Sequence, residues 1–260
     1  MTLMQVTFSR LAPACVAALA LAPVQATAQD RAFSFSVTGG ATVQPDYFGS
    51  DSHRLGPSGA LGFSGLVLGG LSFGSLESPD VFSEGVGVRG AFRYIPQRKG
   101  EDELAGLRDV DDAVELGVGL HYTTEHWQVY TDIRYGVIGH SAFTGEAGAN
   151  LILRPTESLT LHAGPRAKFG SGRFMRTYFG VTEAEAAASG LGEYRPSGGV
   201  QSLGVEFGAY QALSEDWGVS GAVRFDRLRG DAGASPIVEQ GNRDQLSATV
   251  GVTRHFNLRF

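Results

Sequence analysis

Asp244-Gln245-Leu246-Ser247-Ala248-Thr249-Val250-Gly251-Val252-Thr253-Arg254-His255-Phe256-Asn257-Leu258-Arg259-Phe260 decides the fold. Its even positions from Leu246 onward are apolar, with Arg254 the one exception, and its odd positions are Gln, Ser, Thr, Gly, His, Asn and Arg. A period of two held this long is a strand with one apolar and one polar face. Such a strand suits the wall of a membrane barrel, where one face meets lipid and the other a polar lumen.

The same rhythm recurs upstream. Phe33, Phe35, Val37, Ala41 and Val43 alternate with serines and threonines, and Val86, Val88, Phe92 and Tyr94 oppose Arg89 and Arg93. Val114 to Tyr122 and Trp127 to Val137 form a hairpin pattern around a short polar turn at 123–126, and further pairs flank 155–158 and 212–216. Each is two alternating runs joined by turn-forming residues. The connections at 96–112, 170–196 and 229–243 are long. Short turns at one end and long loops at the other are the arrangement of outer-membrane barrels, with the short turns periplasmic. Trp127 and Trp217 each begin a strand after a short turn, where an amphipathic indole suits the inner interface.

The expected fold is therefore all-β: one antiparallel transmembrane β-barrel of about 12 strands, with 10 the alternative. The ambiguity lies between Ser64 and Glu84. Eleven strand-like segments are legible, and a barrel with both termini in the periplasm needs an even number. If Leu66 to Phe73 does not span, ten remain; if the region crosses twice, there are twelve. Twelve is preferred, because a water-exposed turn would expose Leu66, Val67, Leu68, Leu71 and Phe73.

Arg10 is the only charge before Asp30; the apolar run Leu11 to Val24 and then Ala26-Thr27-Ala28 follow it. That layout predicts a secretory signal at 1–28, cleaved before Gln29, and a barrel domain over 29–260. Cys15, the single cysteine, lies within the run, so neither a disulfide framework nor thiol chemistry is expected of the mature chain. A formal charge of −6 without a clustered basic face argues against nucleic-acid binding. Mean hydropathy is −0.04, which is what alternation predicts, since apolar and polar faces average out.

Chemistry is expected on the polar face. Arg89, Arg93, Glu115, His121, Asp132, Arg134, His162, Arg166, Lys168, Glu206, Arg224 and Asp226 fall there, as candidate lumen-lining residues. They could form a charged filter in an open pore, or pair with one another and fill a small barrel. No Ser, His and acid spacing points to catalysis, so the chain is expected not to be an enzyme; His53, His140 and His255 are interfacial polar residues. The acidic loop with Glu101, Asp102, Glu103, Asp109, Asp111 and Asp112 lacks the ordered spacing of a calcium loop, and no metal or cofactor is expected. It is read as a solvated loop against lipopolysaccharide. The segment Glu183 to Gly190 has helix-forming composition inside a long outer loop, with Gly190 as its end.

The loop motifs carry a family resemblance. Pro45-Asp46-Tyr47-Phe48-Gly49-Ser50-Asp51, Gly106-Leu107-Arg108-Asp109-Val110-Asp111, Thr177-Tyr178-Phe179-Gly180-Val181-Thr182 with Ala187 to Leu191, and Gly230-Asp231-Ala232 with Ser235-Pro236-Ile237-Val238 resemble the MipA/OmpV family of outer-membrane proteins. The resemblance implies an outer-membrane location among lipids and lipopolysaccharide. It also implies a role scaffolding a murein lytic transglycosylase with a murein synthase, a penicillin-binding protein; other members are porin-like or adhesive. Phe256, Leu258 and Phe260 resemble the C-terminal signal read by the barrel-assembly machinery. Arg254 on the apolar face would cost about 2 to 4 kcal/mol at mid-bilayer. Either a bulge turns it inward or the strand runs past the membrane and carries it to the interface.

Overall fold

The computed structural model describes residues 31–68, 71–74, 82 and 84–259, so the expected signal segment, Cys15 and Phe260 lie outside the described residues. Alternation produces strands β1 (Arg31–Pro45), β2 (His53–Leu68), β3 (Leu71–Gly74), β4 (Gly85–Ile95), β5 (Ala113–Thr123), β6 (Trp127–Ile138), β7 (Phe143–Thr156), β8 (Leu159–Gly170), β9 (Gly199–Ala212), β10 (Trp217–Leu228) and β11 (Asp244–Arg259). All belong to one antiparallel sheet in which strands pair with their sequence neighbours, except that β4 lies beside β2 and the short β3 pairs with β2, and β1 pairs with both β2 and β11. The sheet is thereby closed into a barrel, with β4 joined to β2 at one ladder position among the described residues.

Ten strands span, which corrects the preference for twelve. Residues 66–68 continue β2 and pair with Phe33, Ala32 and Arg31, while β3 folds back on the same end of β2. Four residues are too short to cross a bilayer, for which about 9–11 are needed. The region that reads as a separate strand is thus the lower end of a long one plus a short hairpin. Its backbone groups are taken up by β1 and β3 rather than left in a water-exposed turn.

The two faces separate as the period of two requires. Leu55 is 73% exposed, Val86 70%, Val118 64%, Phe207 62% and Val250 64%, all pointing out of the barrel. An apolar belt of this extent is stable only against lipid. The short connections at 124–126, 157–158 and 213–216 lie at one end, and 96–112, 171–198 and 229–243 at the other. At the short-turn end, Tyr122 packs against Trp127 at 5.4 Å and Phe35 stacks on Phe256 at 4.9 Å.

Arg254 stays on the outer face, with no register shift along β10 and β11. It pairs with Trp217, the first residue of β10, and its guanidinium lies 5.0 Å from the Trp217 ring and 5.1 Å from Phe256. The strand therefore runs past the membrane and carries the charge to the aromatic belt. There a cation on an indole face is favourable rather than costly.

The buried apolar core sits at the outer mouth, because the lumen is polar. It is built from the long loops: α1 (Gly172–Phe179), α2 (Glu183–Ser189), α3 (Gly230–Gly233) and α4 (Pro236–Glu239), with residues of the connection before β5 and of the β1–β2 turn. Phe174, Phe179, Met175, Ile237 and Leu104 are essentially fully buried. Each contributes about 1.5–3 kcal/mol by leaving water.

Candidate functional site: a charged lumen beneath a capped outer mouth

Strand alternation aims six cations and five carboxylates of β4 to β10 into one space, and they pair in a continuous web. Arg89 grips Asp132 with two hydrogen bonds of 2.8 and 2.6 Å, the bidentate geometry that makes such pairs strong. Arg93 donates to Glu115 at 2.8 Å, and Thr144 donates to the other oxygen of Glu115 at 2.9 Å. Arg134 lies among Glu115 at 3.4 Å, Asp132 at 3.5 Å and Glu146 at 3.6 Å, joining three strands' worth of charge.

Further round the wall, Arg224 donates to Glu146 at 2.5 Å, and Tyr130 donates to the same oxygen at 2.8 Å. Tyr130 is itself covered by the Arg89 guanidinium at 4.0 Å and approached by Arg166 at 5.4 Å. Arg166 donates to Glu206 at 2.7 Å and to Asn150 at 2.6 Å; His162 is 3.4 Å from Glu206, and Lys168 donates to Asp226 at 2.8 Å. Buried charges need such mutual satisfaction, since one left alone in a low-dielectric interior is strongly unfavourable.

Of the twelve residues expected on the polar face, eleven are joined in this web. His121 stands apart, its ring over Gly87, where an added Cβ would meet Nε2 at 2.4 Å. The web also takes in residues not singled out from sequence. Glu146, its most connected carboxylate, follows from the phase of β7, where Thr144, Glu146, Gly148 and Asn150 alternate with outward Phe143, Ala147, Ala149 and Leu151. His140 carried no such signal: it lies between strands, is buried, and reaches Glu115 at 3.2 Å. It was expected at an interface, and instead it sits under the loop cap. His255 faces inward and shares a 2.9 Å hydrogen bond with Tyr210, whereas His53 is exposed and meets the Leu246 carbonyl at 3.2 Å.

The cap rests directly on this web. The Phe174 ring lies 5.3 Å from the Arg93 guanidinium and 5.4 Å from His140. Phe48 of the β1–β2 turn packs on Phe174, Tyr178 and Phe179 at 5.9, 5.3 and 5.5 Å. Backbone polar groups inside the cap find partners: Arg98 donates to the Tyr178 carbonyl at 3.0 Å and Ser235 to that of Phe179 at 2.7 Å. The helix expected within 183–190 is present as α2, opened by a Thr182/Glu185 capping box and closed by Gly190 in the left-handed conformation. Burial opposes the charge of Glu185, but hydrogen bonds from Thr182 and the Arg108 N–H hold its carboxyl below the usual range.

The loop motifs are what make the cap. Gly49 (φ +106°) and Gly106 (φ +92°) hold conformations that favour glycine, and a Cβ would meet Val238 at 2.8 Å in the first case and Ala188 at 2.7 Å in the second. Carboxylates of the acidic loop are spent on its own backbone: Asp109 accepts from Gly100 N at 2.8 Å, Asp112 from Gln97 N at 2.9 Å. Among the described residues no group of His, Cys, Asp or Glu is arranged to hold a metal ion. Beneath the cap, a cavity of about 520 Å³ lies between the charged web and the small residues of β1, β2 and β11, among them Ser36, Thr38, Ser58 and Thr249.

The chain is 26% identical over 157 residues to the MltA-interacting proteins of Escherichia coli (strain K12) and Shigella flexneri; the match covers 60% of this chain and 62% of the length of each relative. Among solved structures it is similar to the outer membrane protein OprG from Pseudomonas aeruginosa (14% identity, 87% of this chain and 97% of that one, TM-score 0.30). It is also similar to Pseudomonas putida OprB (8% identity, 88% and 94%, TM-score 0.39). Scores this low carry nothing about function. A closed barrel with an outward apolar belt and short turns at one end is an outer-membrane protein of a Gram-negative bacterium. The model of the family described as MltA-interacting protein MipA matches residues 37–256, from β1 to β11 and through every cap-forming loop, and the chain belongs to that family.

Proposed function

We propose that the protein is a non-enzymatic outer-membrane anchor whose periplasmic rim binds a murein lytic transglycosylase and a murein synthase of the penicillin-binding class. The observation that carries this reading over a solute pore is the apolar cap on the outer mouth, where Phe48, Phe174, Tyr178 and Phe179 pack over a lumen already crossed by paired charges. A porin-like channel needs a wet path through both ends. The name of the Escherichia coli relative, an MltA-interacting protein, supports the choice of partner. The rim offers short turns only, such as 124–126 and 213–216, so the partner must also cover the lower strand ends to reach the roughly 1,000 Å² of a specific interface.

Capture of the tagged full-length protein from detergent extracts should recover both murein enzymes. If neither is retained while the purified protein conducts ions in a planar bilayer, the pore reading replaces this one. Residues 1–28 are proposed to be removed on export, and Phe256, Leu258 and Phe260 to be the stretch read during assembly. Deleting Phe260 should leave most of the chain unassembled, seen as loss of the heat-modifiable band; full insertion of the truncated chain would reject the assembly role.

A further inference from the structure

The barrel wall has one seam unlike the rest. Other neighbouring strands pair along most of their length, but among the described residues β2 and β4 are joined at a single ladder position, Gly62 with Arg89. Extending that register would set Ala60 opposite Ala91, Ser58 opposite Arg93 and Gly56 opposite Ile95, yet none of these is paired. The upper end is tied by Arg54, which donates to the Gln97 carbonyl at 3.4 Å and binds Asp46 at 2.9 Å. Between this tie and Gly62 lies a stretch of roughly 25 Å along the strand at about 3.3 Å per residue. Pro57 falls inside it, a residue that cannot donate to a ladder and is confined to sheet edges and bulges.

Side chains rather than hydrogen bonds close this stretch. A Cβ at Gly59 would lie 3.9 Å from the Phe92 ring, and one at Gly90 would lie 3.1 Å from Leu61 and 3.5 Å from Phe63. Ala60 faces the interior and is nonetheless exposed. The 520 Å³ cavity is lined both by inward groups such as Arg89, Arg93 and Thr38 and by outward ones such as Leu61, Phe63 and Phe92. The cavity thus reaches the seam, where the closing side chains of the outer face border it. Rotation of two or three side chains would widen the gap, with no ladder to break.

We propose that the β2–β4 seam is a lateral portal through which a single-chain anionic amphiphile of the fatty-acid type enters from the membrane. Its chain lies between Leu61, Phe63 and Phe92, and its carboxylate reaches Arg89 and Arg93. Leu61, Phe63 and Phe92 are the apolar side chains at this place, enough to flank one acyl chain rather than two. β2 and β4 carry no carboxylate, and the inward charges of β4 at the seam are Arg89 and Arg93, so an anionic head is favoured over a cationic one. The volume falls within the range of small-ligand sites, about 300–1,000 Å³. This proposal is independent of the scaffold reading and stands if that reading fails.

The test uses the full-length protein in lipid nanodiscs, titrated with palmitate against empty nanodiscs. Saturable binding is expected, at least about tenfold tighter than for an alkyltrimethylammonium of the same chain length. Gly59→Phe, which fills the seam from the lipid side, should weaken palmitate binding by at least about tenfold while keeping heat-modifiable mobility. Hydrogen exchange provides an arm that needs no variant: amides of 55–61 that face β4 should exchange at least about tenfold faster than those of β8. Absence of saturable palmitate binding, equal binding of the cationic amphiphile, unchanged binding by a folded Gly59→Phe, or full protection of those amides would each overturn the portal.

Discussion

Glu146→Ala is expected to lower the unfolding free energy by about 3–5 kcal/mol, the cost of leaving a buried charge without its partner. Glu146 is 7% exposed, takes the 2.5 Å hydrogen bond of Arg224 and the 2.8 Å bond of Tyr130, and lies 3.6 Å from Arg134. Without it, the six cations of the web face four carboxylates, and Arg224 and Arg134 each lose a partner. Urea unfolding of the protein in lipid vesicles measures the change. Glu125→Ala, on an exposed turn where the carboxylate is paired only with the equally exposed His126 at 3.6 Å, should fall within about 0.5 kcal/mol of the parent. A Glu146→Ala protein as stable as Glu125→Ala would mean that the web is not what holds the lumen together. Glu146→Gln should fall between the two, keeping the hydrogen bond from Tyr130 and losing the charge.

Replacing residues 171–198 by a short Gly-Ser turn should raise single-channel conductance from near zero by at least about tenfold. The replaced segment carries α1 and α2, hence Phe174, Met175, Tyr178 and Phe179, four of the side chains that fill the outer mouth. The barrel should still form, since β8 and β9 pair along their length whatever joins them, and heat-modifiable mobility reports on this. Phe174→Asp should act in the same direction by placing a charge in a fully buried site of the cap. A parent protein that already conducts as well as the loop replacement would show that the cap does not seal the mouth.

Much of the fold was legible because a strand's side chains alternate whatever surrounds it. The phase of β11 told which residues face lipid, and the same rule put Arg89, Glu115, Asp132 and Arg224 inside. It would have put Glu146 there too had β7 been read from its polar side. The loop segment 183–190 was legible as a helix because propensity and a glycine stop are local: the Glu/Ala run and Gly190 lie within one short stretch, and the Thr182/Glu185 capping box adds to them. Helix α1 was not, since its aromatic residues become helical by packing on Phe48 and His140, which are distant in sequence.

Alternation by itself determined that this chain is an antiparallel membrane barrel, which face each residue presents, and which end carries the long loops. A period of two is a local property of the backbone, and each strand shows it alone. Tertiary closure decided the rest. It set the strand count at ten, because the lower end of β2 pairs with β1 and β3 instead of turning away. It chose which carboxylate meets which guanidinium, carried Arg254 to Trp217, brought four distant loops into one apolar cap, and left β2 and β4 joined at one position. These depend on register between strands and on contacts between loops far apart in the chain, and no local pattern encodes either.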